Sequence, residues 1–493
     1  MGKKNNDDTP KTGITVKKSE NFSEWYSEIL YKADLADIRY NVKGFVVYRP
    51  WATITIKKMY RKYEDLLEKN GHLPVVMPTV IPEGNFEKEA EHVEGFAPEV
   101  FWVSEVGSEG QELTERLALR PTSETALYPM YSYWIRSYRD LPFKRYQSCQ
   151  VFRYEGKMTR PFFRGREFHW IEAHNVFATR DAAEAQVKED MQMTYKMLQD
   201  EFCIPVIFFE RPQWDKFGGA EKTFAADALM GSGKVLQLPS THLLGQNFAK
   251  AFDVTYIDED GEEKYGYQTC YGPAISRIYG AMIAYLGDDN GLILPFDLAP
   301  VQVVIVPIIF KDKEEMVLDK ANEVMERLKD KYIVRLDDSE DSPGEKFYFW
   351  EMKGVPFRIE VGPRDVKKEQ VVIVRRFDGE KFFVKEEELE ERLEELTSTY
   401  TEQLWKRAFL DFESEIEECY ERDAAKEAIE NGKIVCCGFC SIDMDGYRCA
   451  EVVEKEIDAE IRGKRVDEEK HEFATCIICG KPAKCTVYLA NSY

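Results

Sequence analysis

Apolar runs of two kinds alternate irregularly over the first 300 residues of the chain. Helical spacing of apolar positions covers residues 21–36, 51–70 and 181–202. Short apolar runs bounded by Pro, Gly or polar residues are typical of strands, and they lie at 71–84, 101–103, 204–209, 254–257 and 292–294. Because helices and strands mix without a regular βαβ series, the pattern predicts an α+β domain with an antiparallel sheet over residues 21–296.

The pattern changes after residue 296. Strand-like runs alternate at short intervals with helical runs, at 301–310, 313–331, 332–338, 346–354, 357–362 and 369–376. This alternation predicts a compact α/β domain with a mixed sheet over residues 297–405. A long acidic helix predicted at 386–409 leads out of it into a final small domain, residues 406–493.

Length and charge narrow the class of protein. A chain of 493 residues is too long for one core and suggests about three domains. It has no apolar run of about 18 residues, and its first 20 residues lack the apolar segment of a signal peptide. We therefore expect a disordered tail at 1–20, no membrane span and a cytoplasmic protein. The net charge of −23 argues against broad nonspecific binding of nucleic acid, but it allows a local basic groove.

Cysteine is concentrated near the end of the chain. Seven of the eleven cysteines lie between Cys436 and Cys485, which without a secretion signal indicates a metal site more than disulfides. Cys476-Ile-Ile-Cys479-Gly480 is a knuckle whose tight turn can direct two thiolates at one zinc ion. For the second pair of ligands, spacing alone favours Cys437-x-x-Cys440.

The richest segment for chemistry is residues 150–174, QVFRYEGKMTRPFFRGREFHWIEAH. Its aromatic and β-branched residues predict two strands around a turn near residues 156–160. Four arginines lie on it, and guanidinium groups aligned along antiparallel strands suit phosphate binding. A salt-bridged amphipathic hairpin fits the same pattern equally well. In Leu119–Thr125, LRPTSET, a Ser/Thr before an acidic residue is typical of a helix cap when taken alone.

Taken in order along the chain, LRPTSET, VFRYE, REFHWIEAH, LGQNFAK, YQTC and GLILP resemble the archaeal/eukaryotic-type prolyl-tRNA synthetases, a family of class II aminoacyl-tRNA synthetases. The resemblance covers residues 20–493. It implies a class II antiparallel-sheet catalytic domain, an α/β anticodon-binding domain and a small C-terminal zinc-binding α+β domain. It also implies the ligation of L-proline to tRNA(Pro) through a prolyl-adenylate, with ATP as substrate, Mg²⁺ on the phosphates and a structural Zn²⁺.

The resemblance assigns an ATP site. Such chemistry depends on positioned cations and aligned reactants rather than a protein nucleophile. Arg153 would bridge the amino-acid carboxylate and the α-phosphate, and Arg277 would pair with the γ-phosphate; these two are the catalytic candidates. The other ATP contacts implied are Glu155, Arg164, Phe168, Gln237 and Ser240. The interval from Gly272 to Arg277 is one residue longer than the family pattern, and Leu238-Pro239 also departs from it.

The remaining site residues are likewise implied by the resemblance. Proline would be bound by Arg153 together with Thr122, Glu124, Trp170, Glu172, His174 and His242. In the α/β domain, Lys346, Glu351 and Arg364 would reach anticodon bases. The zinc ligands would be Cys440, Cys449, Cys476 and Cys479, which differs from the Cys437-x-x-Cys440 pair that spacing favours. Tyr493 would fold back towards the active site.

The last expectations concern the oligomeric state and the alternative functions of the protein. Pro78 matches a proline at the family's dimer interface, so a homodimer is implied, although a strand-edge proline is an equal interpretation. About 100 residues separate the second and third motifs, too few for an inserted editing domain. Two alternatives remain: a class II synthetase of other or dual specificity, threonine or cysteine included, and a non-catalytic synthetase-like tRNA-binding protein.

Overall fold

The computed structural model describes residues 13–92, 99–156, 158–309, 314–467 and 473–493. The predicted tail therefore lies mostly outside the described residues. In residues 13–20 the chain is bound to the catalytic domain rather than disordered, because the Lys18 ammonium donates to the carbonyls of Tyr285 and Gly287. Burial there lowers the pKa of Lys18 to about 8.

The first domain follows the predicted α+β pattern, and its elements begin where local sequence favours them. Pro50 occupies the first turn of its helix, where the missing N–H costs nothing, and the Asn21 side chain caps the first helix. The elements are α1 Phe22–Lys32, β1 Ala36–Asp37, β2 Val47–Tyr48, α2 Pro50–Lys69, β3 Leu73–Pro74, β4 Val80–Pro82, α3 Glu83–His92, β5 Trp102–Val106, β6 Gln111–Leu119, α4 Glu124–Trp134, β7 Phe143–Phe152, β8 Glu167–Phe177, α5 Arg180–Tyr195, β9 Ile207–Glu210, β10 Lys222–Leu229, β11 Lys234–Gly245, α6 Asn247–Ala251, β12 Thr255–Ile257, β13 Glu263–Tyr265, β14 Tyr267–Gly272 and α7 Ile275–Leu286.

Two strand predictions in this domain are wrong. The run at 71–84 forms two short strands in different sheets, β3 and β4. Its three prolines lack the backbone N–H that a continuous strand donates to its neighbours. Residues 292–294 are buried but irregular, and the Leu292 N–H donates to the Met352 carbonyl instead of to a neighbouring strand.

The second and third domains contain the remaining elements. They are β15 Val303–Pro307, α8 Glu314–Leu328, β16 Val334–Leu336, α9 Pro343–Met352, β17 Phe357–Val361, α10 Pro363–Val366, β18 Gln370–Arg375, β19 Lys381–Lys385, α11 Leu389–Glu413, β20 Ile416–Glu418, α12 Arg422–Glu430, β21 Ile434–Phe439, α13 Tyr447–Val452, β22 Glu460–Arg465 and β23 Cys485–Ser492. The order β16-β15-β17-β18-β19 combines parallel and antiparallel pairs, so the predicted mixed sheet is confirmed.

The largest sheet has eleven strands in the order β20-β21-β23-β22-β9-β10-β11-β14-β8-β7-β3. Its centre, from β9 to β7, is antiparallel throughout, which confirms the predicted class of sheet. The strands of the C-terminal domain continue the same sheet, since β22 pairs with β9 and β23 pairs with β11. The last domain is therefore joined to the catalytic domain by backbone hydrogen bonds. Among the described residues, no helix combines the length and apolarity that a membrane crossing requires.

Candidate active site

The antiparallel pair β7 and β8 carries the central side chains. Its register places Val151 opposite Phe168, Cys149 opposite Trp170 and Gln147 opposite Glu172. Residues two apart on a strand share one face, so Trp170, Glu172 and His174 point the same way along β8. Together with residues from β10, β11, β14 and α7 they line a cavity of about 220 Å³.

A buried carboxylate network forms one wall of this cavity. The Thr122 hydroxyl donates to Glu124 at 2.5 Å and lies 2.8 Å from Glu172. The Ser123 N–H and hydroxyl also donate to Glu172. Ser123 stands at the N-cap of α4, yet its side chain makes no cap hydrogen bond. The helix-cap interpretation of LRPTSET is therefore wrong for Ser123, whose hydroxyl binds the Glu172 carboxylate.

The two histidines at the cavity are held by neighbouring hydroxyl groups. His242 lies between Thr223 at 2.9 Å and Ser240 at 3.1 Å, with the Phe217 ring 4.7 Å away. Burial lowers the pKa of His242 to about 3, so its ring is neutral at physiological pH. The Nδ1 of His174 lies 3.0 Å from the Tyr128 hydroxyl.

Arg153 and Arg277 also line this cavity, and the Arg164 guanidinium lies near Arg277. Arg277 is in the first turn of α7 and donates to the Phe163 and Gln237 carbonyls at 3.1 and 3.2 Å. Burial, together with the nearby charges of Arg153 and Arg164, lowers its pKa to about 10. Arg153 donates to the Pro121 carbonyl at 2.9 Å. Three cations held close together in a partly buried site form a binding surface for a polyanion.

The loop after β14 follows a defined path despite its unusual length. The Pro273 carbonyl accepts a hydrogen bond from the Ile171 N–H of β8, and Ala274 stands at the N-cap of α7. A Cβ at Gly272 would lie 2.6 Å from the Trp170 ring, so glycine is required for this close approach. The extra residue is thus accommodated between β14 and α7, and Arg277 still faces Gln237.

The other two arginines of the 153–166 loop have structural contacts. The Arg160 guanidinium donates to the Ser23 carbonyl at 3.1 Å and lies 4.8 Å from the Tyr26 ring centroid, which attaches the loop to α1. Arg166 lies over the Tyr154 ring and donates to the Glu155 carbonyl at 3.2 Å. These partners are distant or backbone groups, so no short motif reveals them.

Glu155 and Phe168 line a second, narrower space beside the first. This space of about 20 Å³ also includes Arg153, Phe163 and Arg277. A volume of this size accommodates about one water molecule. Glu155 and Phe168, the two candidates for adenine contact, therefore lie in a space that adjoins the larger cavity, and Arg153 and Arg277 line both spaces.

Tyr493 reaches the same region from the end of β23. Its carbonyl oxygen accepts a hydrogen bond from Arg164 at 2.7 Å, and its hydroxyl lies 2.6 Å from that of Ser232. Its ring packs edge-on against Phe163 at 5.0 Å. The expected fold-back of Tyr493 is thus the arrangement in this structure.

A buried ion cluster connects the C-terminal domain to this site. Asp227 on β10 accepts from Arg211 and from Arg462 of β22, both at 2.7 Å. Arg211 also donates to the Gln237 side chain at 3.2 Å. Burial opposes ionisation of Asp227, but Arg211 and Arg462 outweigh it and hold the Asp227 pKa below its ordinary value. These residues were not among the sequence candidates, because isolated charges carry no motif.

The three anticodon candidates differ in exposure. Lys346 is buried and donates to the Asp337 carbonyl at 2.9 Å. Glu351 is paired with Arg358 at 2.8 Å. Arg364 is exposed at the start of α10. Only Arg364 of the three has a side chain directed to solvent, while Lys346 has an internal structural contact.

Four thiols meet in the C-terminal domain. The Sγ atoms of Cys440, Cys449, Cys476 and Cys479 all lie within 4.8 Å of one another. The knuckle turn uses Gly480 at a φ of +68°, and its N–H donates to the Cys476 carbonyl. A hydrogen bond from the Lys481 N–H lowers the pKa of Cys479. Cys437 is fully buried in the core of this domain, outside the group of four.

Comparison with known proteins agrees with the fold. Family models match over three consecutive ranges: "tRNA synthetase class II core domain (G, H, P, S and T)" at 101–285, "Anticodon binding domain" at 302–396 and "Prolyl-tRNA synthetase, C-terminal" at 422–493. The antiparallel sheet, its arginine-bearing second motif and the adjoining anticodon-binding domain define a class II aminoacyl-tRNA synthetase.

Whole-chain relatives narrow the class to one family. A proline–tRNA ligase of Thermofilum pendens is 52% identical over 98% of this chain and 99% of its own length, and one of Methanopyrus kandleri is 44% identical over 96% of each. The structure of Giardia lamblia prolyl-tRNA synthetase in complex with prolyl-adenylate matches with a TM-score of 0.93 at 38% identity, covering 97% of this chain and 100% of that one. The chain belongs to the prolyl-tRNA synthetase family, and its activity is the ligation of proline to tRNA.

Proposed function

We propose that the 220 Å³ cavity binds proline and that the three guanidinium groups bind ATP. The single observation that supports this most directly is the arrangement of charge. Buried Glu124 and Glu172 line the same cavity as Arg153 and Arg277, and the Arg153 guanidinium is close enough to interact with both carboxylates. A cationic imino group and an anionic carboxylate, both present on proline, match these carboxylates and guanidinium groups in that order.

In the proposed reaction, a carboxylate oxygen of proline attacks the α-phosphorus of ATP and pyrophosphate leaves. Glu124 and Thr122 orient the imino group of proline. Trp170, His174 and His242 enclose the pyrrolidine ring of proline beside Glu172. Arg153 neutralises charge on the carboxylate and the α-phosphate, and Arg277 and Arg164 bind the outer phosphates. Magnesium, when bound, supplies further charge neutralisation at the phosphate oxygens.

Adenine is proposed to bind between Phe168 and Arg277, with its amino group at Glu155 and with Gln237 and Ser240 near the nucleotide. The space there is only about 20 Å³, so the 153–166 loop has to move outward before the base enters. The contact of Arg160 with the Tyr26 ring attaches that loop to α1, and Arg166 lies over the Tyr154 ring within the loop.

Pyrophosphate exchange with single amino acids tests this function. Proline is expected to stimulate exchange well above cysteine or threonine, because the carboxylate pair matches a cationic imino group held in a compact ring. The same experiment decides between the alternatives. Equal exchange with cysteine indicates dual specificity, and no exchange with proline contradicts the roles proposed for this cavity and its arginines.

The four-thiol cluster is proposed to hold a structural Zn²⁺ through Cys440, Cys449, Cys476 and Cys479. Four converging sulfur donors match the tetrahedral preference of zinc and leave no open position for catalysis.

We expect Cys449→Ser to reduce bound zinc below one equivalent per chain and to destabilise the C-terminal domain, since structural zinc contributes folding energy. Cys437→Ser is the matched control and should keep a full equivalent, because Cys437 is a core residue outside the cluster. Metal analysis of the purified proteins checks this. Loss of zinc from Cys437→Ser but not from Cys449→Ser would instead favour the Cys437-x-x-Cys440 pair.

The remaining proposals concern partners, assembly and localisation. tRNA(Pro) is proposed to meet the α9–α10 surface of the second domain, with Arg364 as the exposed contact and Glu351 and Lys346 beside it.

A homodimer is proposed through the edge around Pro78, where Leu73 and Val76 are 55% and 95% exposed. Sedimentation of wild type and Val76→Asp tests the interface, and a monomeric wild type contradicts it. Cell fractionation tests the proposed cytoplasmic location.

A further inference from the structure

Three different donor types converge at the cavity proposed for proline. They are the carboxylate of Glu124 on α4, the imidazole of His174 on β8 and the thiol of Cys270 on β14. All three side chains are buried, and one ligand atom of each lies within 4.8 Å of the others. Each comes from a separate regular element, so the group is part of the rigid frame of the site.

The imidazole of His174 has one ring nitrogen available to bind a ligand. Its Nδ1 lies 3.0 Å from the Tyr128 hydroxyl, whereas its Nε2 is buried and has no hydrogen-bond partner among the described residues. A tyrosine hydroxyl can accept a hydrogen bond as well as donate one. When Nδ1–H donates to Tyr128, the lone pair of Nε2 is available, which is the arrangement that metal-binding histidines use.

We propose that Glu124, His174 and Cys270 bind a thiophilic divalent cation of the zinc class, and that this cation and proline exclude each other. One sulfur, one nitrogen and one oxygen donor suit zinc, whereas magnesium prefers oxygen donors alone. Coordination releases the thiol proton to solvent. Three protein ligands leave a further position for water, as in open zinc sites.

Exclusion follows from the shared carboxylate. Glu124 is the group proposed to orient the imino cation of proline, so this inference rests on the proposed function. A dication bound to Glu124 occupies the oxygen that the imino group needs and places like charge beside it. Arg277 and Arg164, the groups proposed for the outer phosphates of ATP, are not ligands of this cation, so ATP binding should be unaffected.

Cobalt(II) is a suitable probe for direct binding, because a cobalt–thiolate bond gives a charge-transfer absorption band. The experiment uses the full chain with its four-thiol cluster already loaded with zinc. We expect a cobalt–thiolate band that appears in wild type, is lost in Cys270→Ser and is retained in Cys149→Ser. Cys149 is the matched control, since it is a buried thiol 3.9 Å from Glu172 but outside the group of three.

Kinetics tests the exclusion. Zinc is expected to raise the KM for proline in pyrophosphate exchange without changing kcat or the KM for ATP. Relative to its own baseline without added zinc, Cys270→Ser should need at least about tenfold more zinc for the same effect, as expected for loss of a metal ligand.

Two results would overturn the inference: no cobalt–thiolate band in wild type, or zinc inhibition that is the same in Cys270→Ser. Absence of proline-stimulated exchange with magnesium present and no zinc added would contradict the proposed function instead, and the cobalt titration would still decide whether the three residues bind a cation.

Discussion

Arg153→Ala is expected to lower kcat for proline-dependent pyrophosphate exchange by about 10²–10³-fold, the usual result of removing one positioned charge from a reacting oxyanion. Arg153 lies at the junction of the two cavities, with its guanidinium about 5.3 Å from the Trp170 ring centroid and 5.5 Å from that of Phe168. Under the proposed function, Arg153 is therefore the cation that contacts both reactants at once. Quench-based assays of exchange at saturating ATP and proline measure the change.

Two companion variants make that result specific. Arg153→Lys keeps the charge but removes the planar pair of donors, so it should recover only part of the rate. Arg139→Ala removes an exposed guanidinium from the same domain and should leave exchange unchanged. A kcat for Arg153→Ala within threefold of wild type, with both controls behaving as expected, would show that this arginine does not act on the reacting groups.

Asp227→Asn is expected to lower the free energy of unfolding by about 3–5 kcal/mol, because it removes the anion that pairs with buried Arg211 and leaves buried Arg462 with only the half-exposed Glu460. Arg211, Asp227 and Arg462 are each less than a twentieth exposed. Urea denaturation followed by circular dichroism measures the loss. Glu460→Gln is the matched control: Glu460 also pairs with Arg462, but its side chain is 50% exposed, so a change of no more than about 1 kcal/mol is expected.

Acid unfolding provides an independent measurement of the same cluster. The Asp227 pKa is held below its ordinary value in the folded protein, so the stability that this carboxylate contributes is present above about pH 3.9, the unfolded value, and is lost as pH falls through the folded pKa. Wild type should therefore lose more stability than Asp227→Asn below that pH. Parallel acid titrations of the two proteins would contradict this role.

Residues within one continuous motif were predictable from the sequence, while those defined by distant contacts were not. LRPTSET and residues 150–174 carry Thr122, Glu124, Arg153, Trp170 and Glu172, which the structure brings around one cavity. The partners of Arg160 and Arg462 lie 137 and 235 residues away from them. No local pattern encodes such pairs, because they depend on how helices and strands assemble.

The choice among the cysteines shows why spacing alone was ambiguous. Cys437 and Cys440 have the spacing of a knuckle, but Cys437 lies within β21, whose pairing with β23 directs it into the core. Cys440 follows the end of that strand and is free to turn towards the other thiols. Side-chain direction in a strand is set by register, which is a property of the pair of strands and not of one sequence.

The continuation of the catalytic sheet by β22 and β23 has a consequence for synthesis of the protein. Arg462 follows its partner Asp227 by 235 residues, a separation that a ribosome crosses in roughly 12–47 s at 5–20 residues per second. During that interval β9 can pair only with β10 and is an edge strand, and the Arg211–Asp227 pair lacks its second cation. An edge of this kind can pair with other chains. The nascent synthetase therefore passes through a period in which its catalytic domain is already made but still depends on residues not yet translated.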